Sequence, residues 1–282
     1  MENIFISNRK EFEKIKEKFK NDEADKIHVL VDFDRTFTKA FVNGRFVPSL
    51  ISVLRDENYL TPNYPQKARS LYEKYHAIEI DPTIPNEEKR NFMEEWWNLH
   101  FELLIKSGLS KNDIERAMES ANLALREGAE KLLEFLKEKG IPLIILSSAG
   151  LGKESIELFL SNKNVLFENV HIISNSFRWD ENGKAVAVNH PIIHEMNKNE
   201  TAIKNYPEIY KKIKNRKNII LMGDGLQDAD MAEGFEFKNI LKIGFLNENA
   251  KQNLEAYKKS FNVVIAHDSS MQFVLDLMQD LL

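Results

Sequence analysis

The chain contains no cysteine among its 282 residues. Disulfides, thiolate nucleophiles and cysteine-ligated zinc are therefore excluded, and the absence suits a reducing compartment. No apolar run approaches the ~20 residues of a membrane-spanning helix. Residues 1–21 scatter Phe5, Phe12, Ile15 and Phe19 among lysines and glutamates, which predicts an amphipathic surface helix and no secretory leader. Nor does one sign of charge dominate. The formal net charge is -5, from acids and bases that are well mixed, which argues against a nucleic-acid polymer as partner. The expectation is a cytoplasmic monomer that engages neither membrane nor nucleic acid.

What the chain does have is a 43% apolar fraction, ordinary for a protein with a buried core. Its length suits one large domain, or a core with a smaller inserted one. Short β-branched runs at 26–33, 141–146 and 218–222, with weaker ones at 170–174, 240–245 and 263–266, read as buried strands. Helical patterns at 128–139, 152–160 and 249–259 alternate with them. Such alternation predicts an α/β fold whose parallel sheet is covered on both faces, with its site at the carboxyl ends of the strands. Residues 49–125 differ in texture. They show long helical patterns and the aromatics Phe92, Trp96, Trp97 and Phe101 but no clear buried strand, and so read as a helical insertion. The basic run 211–217 reads as a solvated helix end.

Four groups of residues carry chemistry. The first apolar run ends in Asp32-Phe33-Asp34-Arg35-Thr36. Two carboxylates in extended backbone two residues apart point the same way, an arrangement that costs energy unless a cation lies between them. A hard divalent ion with oxygen ligands, Mg²⁺ above all, is the natural partner. The bland alternative is an Asx turn closing a strand. A second apolar run is followed by Gly223-Asp224-Gly225-Leu226-Gln227-Asp228, placing two more acids at a strand end. Concentrating repulsion at one sheet edge has no rationale in stability. Ser147-Ser148-Ala149-Gly150 follows a third run, where a hydroxyl and backbone N–H groups can cradle an anion; serine is also a common helix cap. Lys198 has no local feature that sets it apart.

The order acid pair, hydroxyl, lysine, acid pair resembles the haloacid dehalogenase superfamily of phosphotransferases. Asp32–Thr36 matches its D-x-D-x-T motif, Ser148 its second-motif hydroxyl, with Ser147 the competing candidate, Lys198 its third-motif lysine, and Asp224 through Asp228 its final acidic motif. The likeness narrows at Tyr75-His-Ala-Ile-Glu-Ile-Asp-Pro82, Glu94-Glu-Trp-Trp97, Ser148-Ala-Gly-Leu-Gly152, Asn197-Lys198 and Asn218–Asp224. These segments resemble the cytosolic 5'-nucleotidase III, or pyrimidine 5'-nucleotidase, family, from about Val29 to the C-terminus.

The resemblance implies a Rossmann-like core at 1–48 and 126–282 with a helical cap at 49–125, and Mg²⁺-dependent hydrolysis of nucleoside 5'-monophosphates, CMP and UMP foremost. Asp32 would be the nucleophile, forming an aspartyl-phosphate, and Asp34 the general acid and base, oriented by Thr36. The metal would be held by Asp32, Asp224 and the backbone carbonyl of Asp34, with Asp228 supporting them and Lys198. Ser148, Ala149 and Lys198 would bind the phosphate. Glu79 would meet the base, with Trp97 or Trp96 stacked on it and His100 nearby. His100 stands where some members carry serine near the base, and Arg35 replaces an apolar residue usual in the first motif. The alternatives are a phosphatase for another small phosphomonoester, such as phosphoserine, or a nucleotide-binding module without catalysis. The full set of acids, hydroxyl and lysine disfavours the last.

Overall fold

The computed structural model describes residues 3–47, 49–81 and 83–282; Pro82, within the quoted resemblance, lies outside them. The chain begins with β1 (Ile4–Ile6) and α1 (Arg9–Lys20), then enters β2 (Ile27–Val31). A hairpin of β3 (Phe41–Val42) and β4 (Arg45–Phe46) follows, and after it α2 (Leu50–Asp56), α3 (Tyr64–Ile80), α4 (Asn86–Lys106) and α5 (Lys111–Met118). Then come α6 (Ala129–Glu138), β5 (Leu143–Leu146), α7 (Lys153–Asn162), β6 (Val170–Ile173) and a second hairpin, β7 (Phe177–Trp179) with β8 (Ala185–Val188). The remainder runs α8 (Glu200–Lys204), α9 (Pro207–Ile213), β9 (Asn218–Gly223), β10 (Asn239–Leu246), α10 (Ala250–Ser260), β11 (Val263–Ala266) and α11 (Gln272–Leu281).

Seven strands form one sheet in the order β1-β11-β10-β9-β2-β5-β6, parallel throughout except for β1 at its edge. The expected α/β architecture is thus present. Alternate residues of each inner strand face opposite sides, so Val29 and Val31 join one buried cluster and Leu30 the other. This is why β2, β5 and β9 read as continuous apolar runs. From β2 the chain passes to β5 on one side and later to β9 on the other. The strand order therefore reverses about β2, which opens a crevice at its carboxyl end. Val31 lies in register with both Ile145 and Met222, so the segments after all three strands emerge side by side.

Two expectations need correction. The N-terminal segment is not helix alone; Ile4–Ile6 pairs antiparallel with β11 before the helix starts, because an exposed sheet edge offers unpaired backbone groups to a nearby extended chain. The basic run 211–217 is also not wholly solvated. Arg216 donates to the carbonyls of Ala24 (3.1 Å) and Ile27 (2.9 Å), tying the entry of β2 to the end of α9. Helices α2–α5 pack on one another and lean on α7 and the β7–β8 hairpin; the Ala185 N–H donates to the Leu109 carbonyl at 2.9 Å.

Candidate active site

The site is built on the three strand ends that the topology brings together. Asp32 follows β2, and its N–H donates to the Met222 carbonyl of β9 at 3.0 Å, so the two acid-bearing turns leave the sheet at one level. Beyond β9, the N–H groups of Asp224 (3.1 Å) and Gly225 (2.8 Å) donate to one carboxylate oxygen of Asp228. That turn requires glycine at 223, where a Cβ would come within 2.2 Å of the Asp228 side chain. Carboxylate oxygens of Asp32, Asp224 and Asp228 lie within 4.8 Å of one another.

Burial raises the pKa of Asp32 well above the usual carboxylate range; the Lys198 charge opposes this, and Asp228 and Asp224 reinforce it. Asp224 is raised in the same way, with Arg35 pulling back. Only an added cation relieves repulsion of this kind, and an all-oxygen donor set suits a hard divalent ion. Lys198 donates to Asp32 and, at 2.9 Å, to Asp228. Burial alone would lower the Lys198 pKa, but its two carboxylates more than reverse that and keep it an ammonium. Its loop is stapled in place. Asn175 bonds both backbone groups of Ile193 (2.8 and 2.9 Å), and the Asn197 side chain accepts from His194 and donates to Ile192.

Asp34 turns its carboxylate to the first turn of α2, accepting from the Leu50 N–H at 3.0 Å. Burial lifts its pKa to about 7, although that N–H and Arg35 act against the rise. Thr36 does not orient Asp34 as expected; its buried hydroxyl points to Asp32, 3.5 Å away. Arg35, in the left-handed region at φ 58, sets its Nε 2.9 Å from Asp224, an ion pair out of line for a hydrogen bond.

Of the paired serines, Ser147 is buried, whereas the Ser148 hydroxyl reaches Glu195 at 2.6 Å. The Ala149 N–H donates to the Ser174 hydroxyl at 3.2 Å. His100 lies beside this loop, its Nε2 3.1 Å from the Gly150 carbonyl. Burial lowers its pKa to about 4, so it is neutral at pH 7 and gives its Nε2–H to that carbonyl. It braces the loop and does not present that N–H to a base. Trp96 stacks on Tyr75 within the helical insertion, with centroids 5.8 Å apart. Trp97 instead turns toward the core, and its indole N–H donates to Glu195 at 3.3 Å. Glu79 accepts from, or pairs with, His76 Nδ1 at 2.8 Å.

Three residues at the site had no sequence signal. Glu195 bridges Ser148 and Trp97. Tyr257 of α10 donates its hydroxyl to the Asp224 carbonyl. Arg126, fully enclosed, pairs with Asp268 at 3.0 Å and donates to the carbonyls of Thr36 (2.7 Å) and Arg35, clamping the turn that follows the nucleophile candidate. Buried charge is invisible in a sequence because its partners, 90 or more residues away, identify it.

A sheet of this order, with acids beyond two neighbouring strands and a lysine salt-bridged between them, is that of haloacid dehalogenase-type phosphatases. Substrate-bound phosphoserine phosphatase shares the fold with a TM-score of 0.55 at 16% identity, covering 89% of this chain and 96% of that one. A family model described as pyrimidine 5'-nucleotidase (UMPH-1) matches residues 35–282, and the chain belongs to that family. It is 32% identical over 260 residues to the 7-methylguanosine phosphate-specific 5'-nucleotidase of Gallus gallus, covering 92% of this chain and 89% of that protein. The structure of cytosolic 5'-nucleotidase IIIB bound to cytidine superposes with a TM-score of 0.90 at 31% identity, covering all of this chain and 94% of that one. The chain is accordingly a 5'-nucleotidase, a phosphoric monoester hydrolase.

Proposed function

We propose that this enzyme hydrolyses nucleoside 5'-monophosphates with Mg²⁺, CMP before UMP, in the cytoplasm, and that residues 49–125 form a cap over the core. The observation that carries the reading is the Asp32–Lys198–Asp228–Asp224 cluster at the strand ends, with Trp97 of the insertion bonded to Glu195 in the Lys198 loop. Asp32, Asp224 and the Asp34 carbonyl would hold the ion, with Asp228 beside them. When bound, Mg²⁺ supplies positive charge that offsets the repulsion between carboxylates and phosphate. Asp32 attacks phosphorus and takes the phosphoryl group, so one hard displacement becomes two easier ones. Asp34 gives its proton to the leaving ribose oxygen, then removes one from the water that frees phosphate. Lys198 and the Ser148 hydroxyl meet the non-bridging oxygens, where charge spreads as the bond breaks.

Base preference follows from the sign of charge opposite the base. The charge of Glu79, which reaches as far as Glu195, would favour a base that offers N–H donors. Cytosine does so through its amino group; uracil presents a carbonyl there. The same chemistry supports a second substrate, 7-methylguanosine 5'-monophosphate, whose base is cationic and which enters the name of the Gallus gallus relative. No helix among the described residues is long and apolar enough to cross a membrane, and a structural relative is named cytosolic; both support the cytoplasmic assignment.

A phosphate-release screen over CMP, UMP, 7-methylguanosine monophosphate and phosphoserine, with and without Mg²⁺, tests the reading. Phosphoserine turned over as well as CMP would overturn it. Glu79→Gln should lower kcat/KM for CMP roughly ten- to a hundredfold, the worth of one charge-assisted hydrogen bond, and leave base-free p-nitrophenyl phosphate nearly unaffected. Equal losses on both would move Glu79 away from the base.

A further inference from the structure

Glu195 carries a half-buried carboxyl group to which the mechanism above gives no step. It lies three residues before Lys198 in the loop between β8 and α8. One of its oxygens, Oε2, faces the indole N–H of Trp97 on α4 at 3.3 Å; the other, Oε1, faces the Ser148 hydroxyl at 2.6 Å. We propose that Glu195 is a positioning residue that links the cap to the phosphate site, and that its protonation decides whether the Ser148 hydroxyl is free to donate to a substrate phosphate. The proposal rests on the assignment of Ser148 as a phosphate ligand.

The geometry leaves little choice about where a proton on Glu195 would sit. An indole N–H is a donor and nothing else, so Oε2 must accept. A proton carried by Glu195 therefore sits on Oε1, between it and Ser148, at a separation normal for O–H···O. In that state Glu195 donates to the serine oxygen, and the serine's single hydrogen is free to turn toward a phosphate. In the ionised state Oε1 can only accept. Ser148 then gives its one hydrogen to the carboxylate and presents lone pairs, not a donor, to the substrate.

The surroundings shift Glu195 toward the protonated state. Burial raises its pKa first, and the charge of Glu79 on α3 raises it further; the Ser148 hydroxyl, its own backbone N–H and Lys198 in its own loop pull the other way. Lys198 is already engaged by Asp32 and Asp228. Glu79 is paired with His76. From α4, His100 is neutral at pH 7, and Arg90 acts on His194, which burial also keeps neutral, its pKa lowered to about 4. A phosphate dianion arriving at Ser148 adds repulsion of the same sign as Glu79. Binding to the ionised form thus takes up one proton from solvent.

Glutamine at this position copies the protonated state at every pH. Its carbonyl accepts from Trp97 and its amide N–H donates to Ser148. The test is the pH profile of KM, and of competitive inhibition by orthophosphate, for the wild type, Glu195→Gln and Glu195→Ala with CMP and with p-nitrophenyl phosphate. Titration of the phosphate itself is common to all three proteins, so the comparison isolates Glu195. The wild-type KM should rise with pH relative to Glu195→Gln, approaching about tenfold per pH unit on the alkaline side, as uptake of one proton on binding requires. Glu195→Ala should show a raised KM on both substrates without that pH dependence. In a Ser148→Ala background the Gln substitution should have no effect on the profile. Identical profiles for wild type and Glu195→Gln, or survival of the difference without Ser148, would overturn the proposal. A wild-type enzyme that releases phosphate from no nucleotide would instead overturn the underlying reading, whatever the Glu195 variants do.

Discussion

At the scale of single residues, the site balances charge with little to spare. Among the described residues, Asp32, Asp34, Asp224 and Asp228 are met by Lys198 and Arg35, and Arg126 acts on Asp224 from further off. Arg35 is the departure from the family pattern, and its place on Asp224 explains what it does without a metal: it neutralises a prospective ligand. It also competes with the ion for that carboxylate. Arg35→Met should therefore tighten Mg²⁺ binding, by about tenfold if the lost competitor is worth ~1.4 kcal/mol. It should also lower the melting temperature of the metal-free protein. Titration of activity against Mg²⁺, beside thermal melts in chelator, checks both. An unchanged metal requirement would mean that the guanidinium leaves Asp224 at no cost when the ion binds.

At the scale of elements, β2 and the turn after it depend on residues far away in sequence. Arg126, between the helical insertion and α6, holds that turn by its carbonyls and is itself neutralised by Asp268. Burial lowers its pKa to about 10, against the pull of Asp268, so it stays charged at pH 7. Arg126→Gln removes a buried charge that holds the turn and leaves the half-buried Asp268 carboxylate to the Ala40 and Phe41 N–H groups alone, and should cost about 3–5 kcal/mol in denaturant melts; Arg126→Lys should recover only part, because an ammonium cannot match the fork of donors. A loss below ~1 kcal/mol would mean that the clamp is dispensable. Within β2, His28 donates from Nδ1 to the Arg216 carbonyl at 2.8 Å, while its Nε2 has no partner. Burial lowers its pKa to about 4. The unfolded chain takes up this proton first as pH falls below ~6.5, so the histidine costs stability increasingly from there down to about pH 4. His28→Val should accordingly look more favourable at pH 5 than at pH 8 when urea melts are compared. The same difference at both pH values would place the proton elsewhere.

At the scale of the whole molecule, the proposed metal site draws on the ends of β2 and β9, which are neighbours in the sheet but separated by the helical insertion and most of the core. An ion held by both would brace the folded state and would have no preformed site in the unfolded one. At about 100 times its Kd, Mg²⁺ should add ~2.7 kcal/mol, a rise in melting temperature of roughly 5–10 °C for a chain of this size. Asp224→Ala should abolish that rise. Persistence of the full shift in the variant would place the ion on other ligands.

Much of this was legible in order. Apolar runs marked β2, β5, β9, β10 and β11, because strands buried on both faces carry hydrophobic side chains at every position. Acids at the ends of two such runs marked the site, because a parallel sheet delivers its strand ends to one edge. What stayed hidden was whatever depends on distant partners. The β7–β8 hairpin is short and half-exposed, and its residues alternate too briefly to give a period. Thr36 reads as an orienting group for Asp34 until the turn after β2 is folded and its hydroxyl is seen on Asp32. Trp96 and Trp97 are equivalent in the sequence. Only the packing of α4 sends one to Tyr75 and the other to Glu195. The sequence alone thus determined the fold class and the strand-end acids, which rest on local period and spacing, and the family, which rests on the resemblance of its motifs. Tertiary structure decided which partners the enclosed ionisable groups meet, as Arg126 meets Asp268 and Glu195 meets Ser148, because an ionisable side chain leaves water only where a partner from elsewhere in the chain comes to meet it.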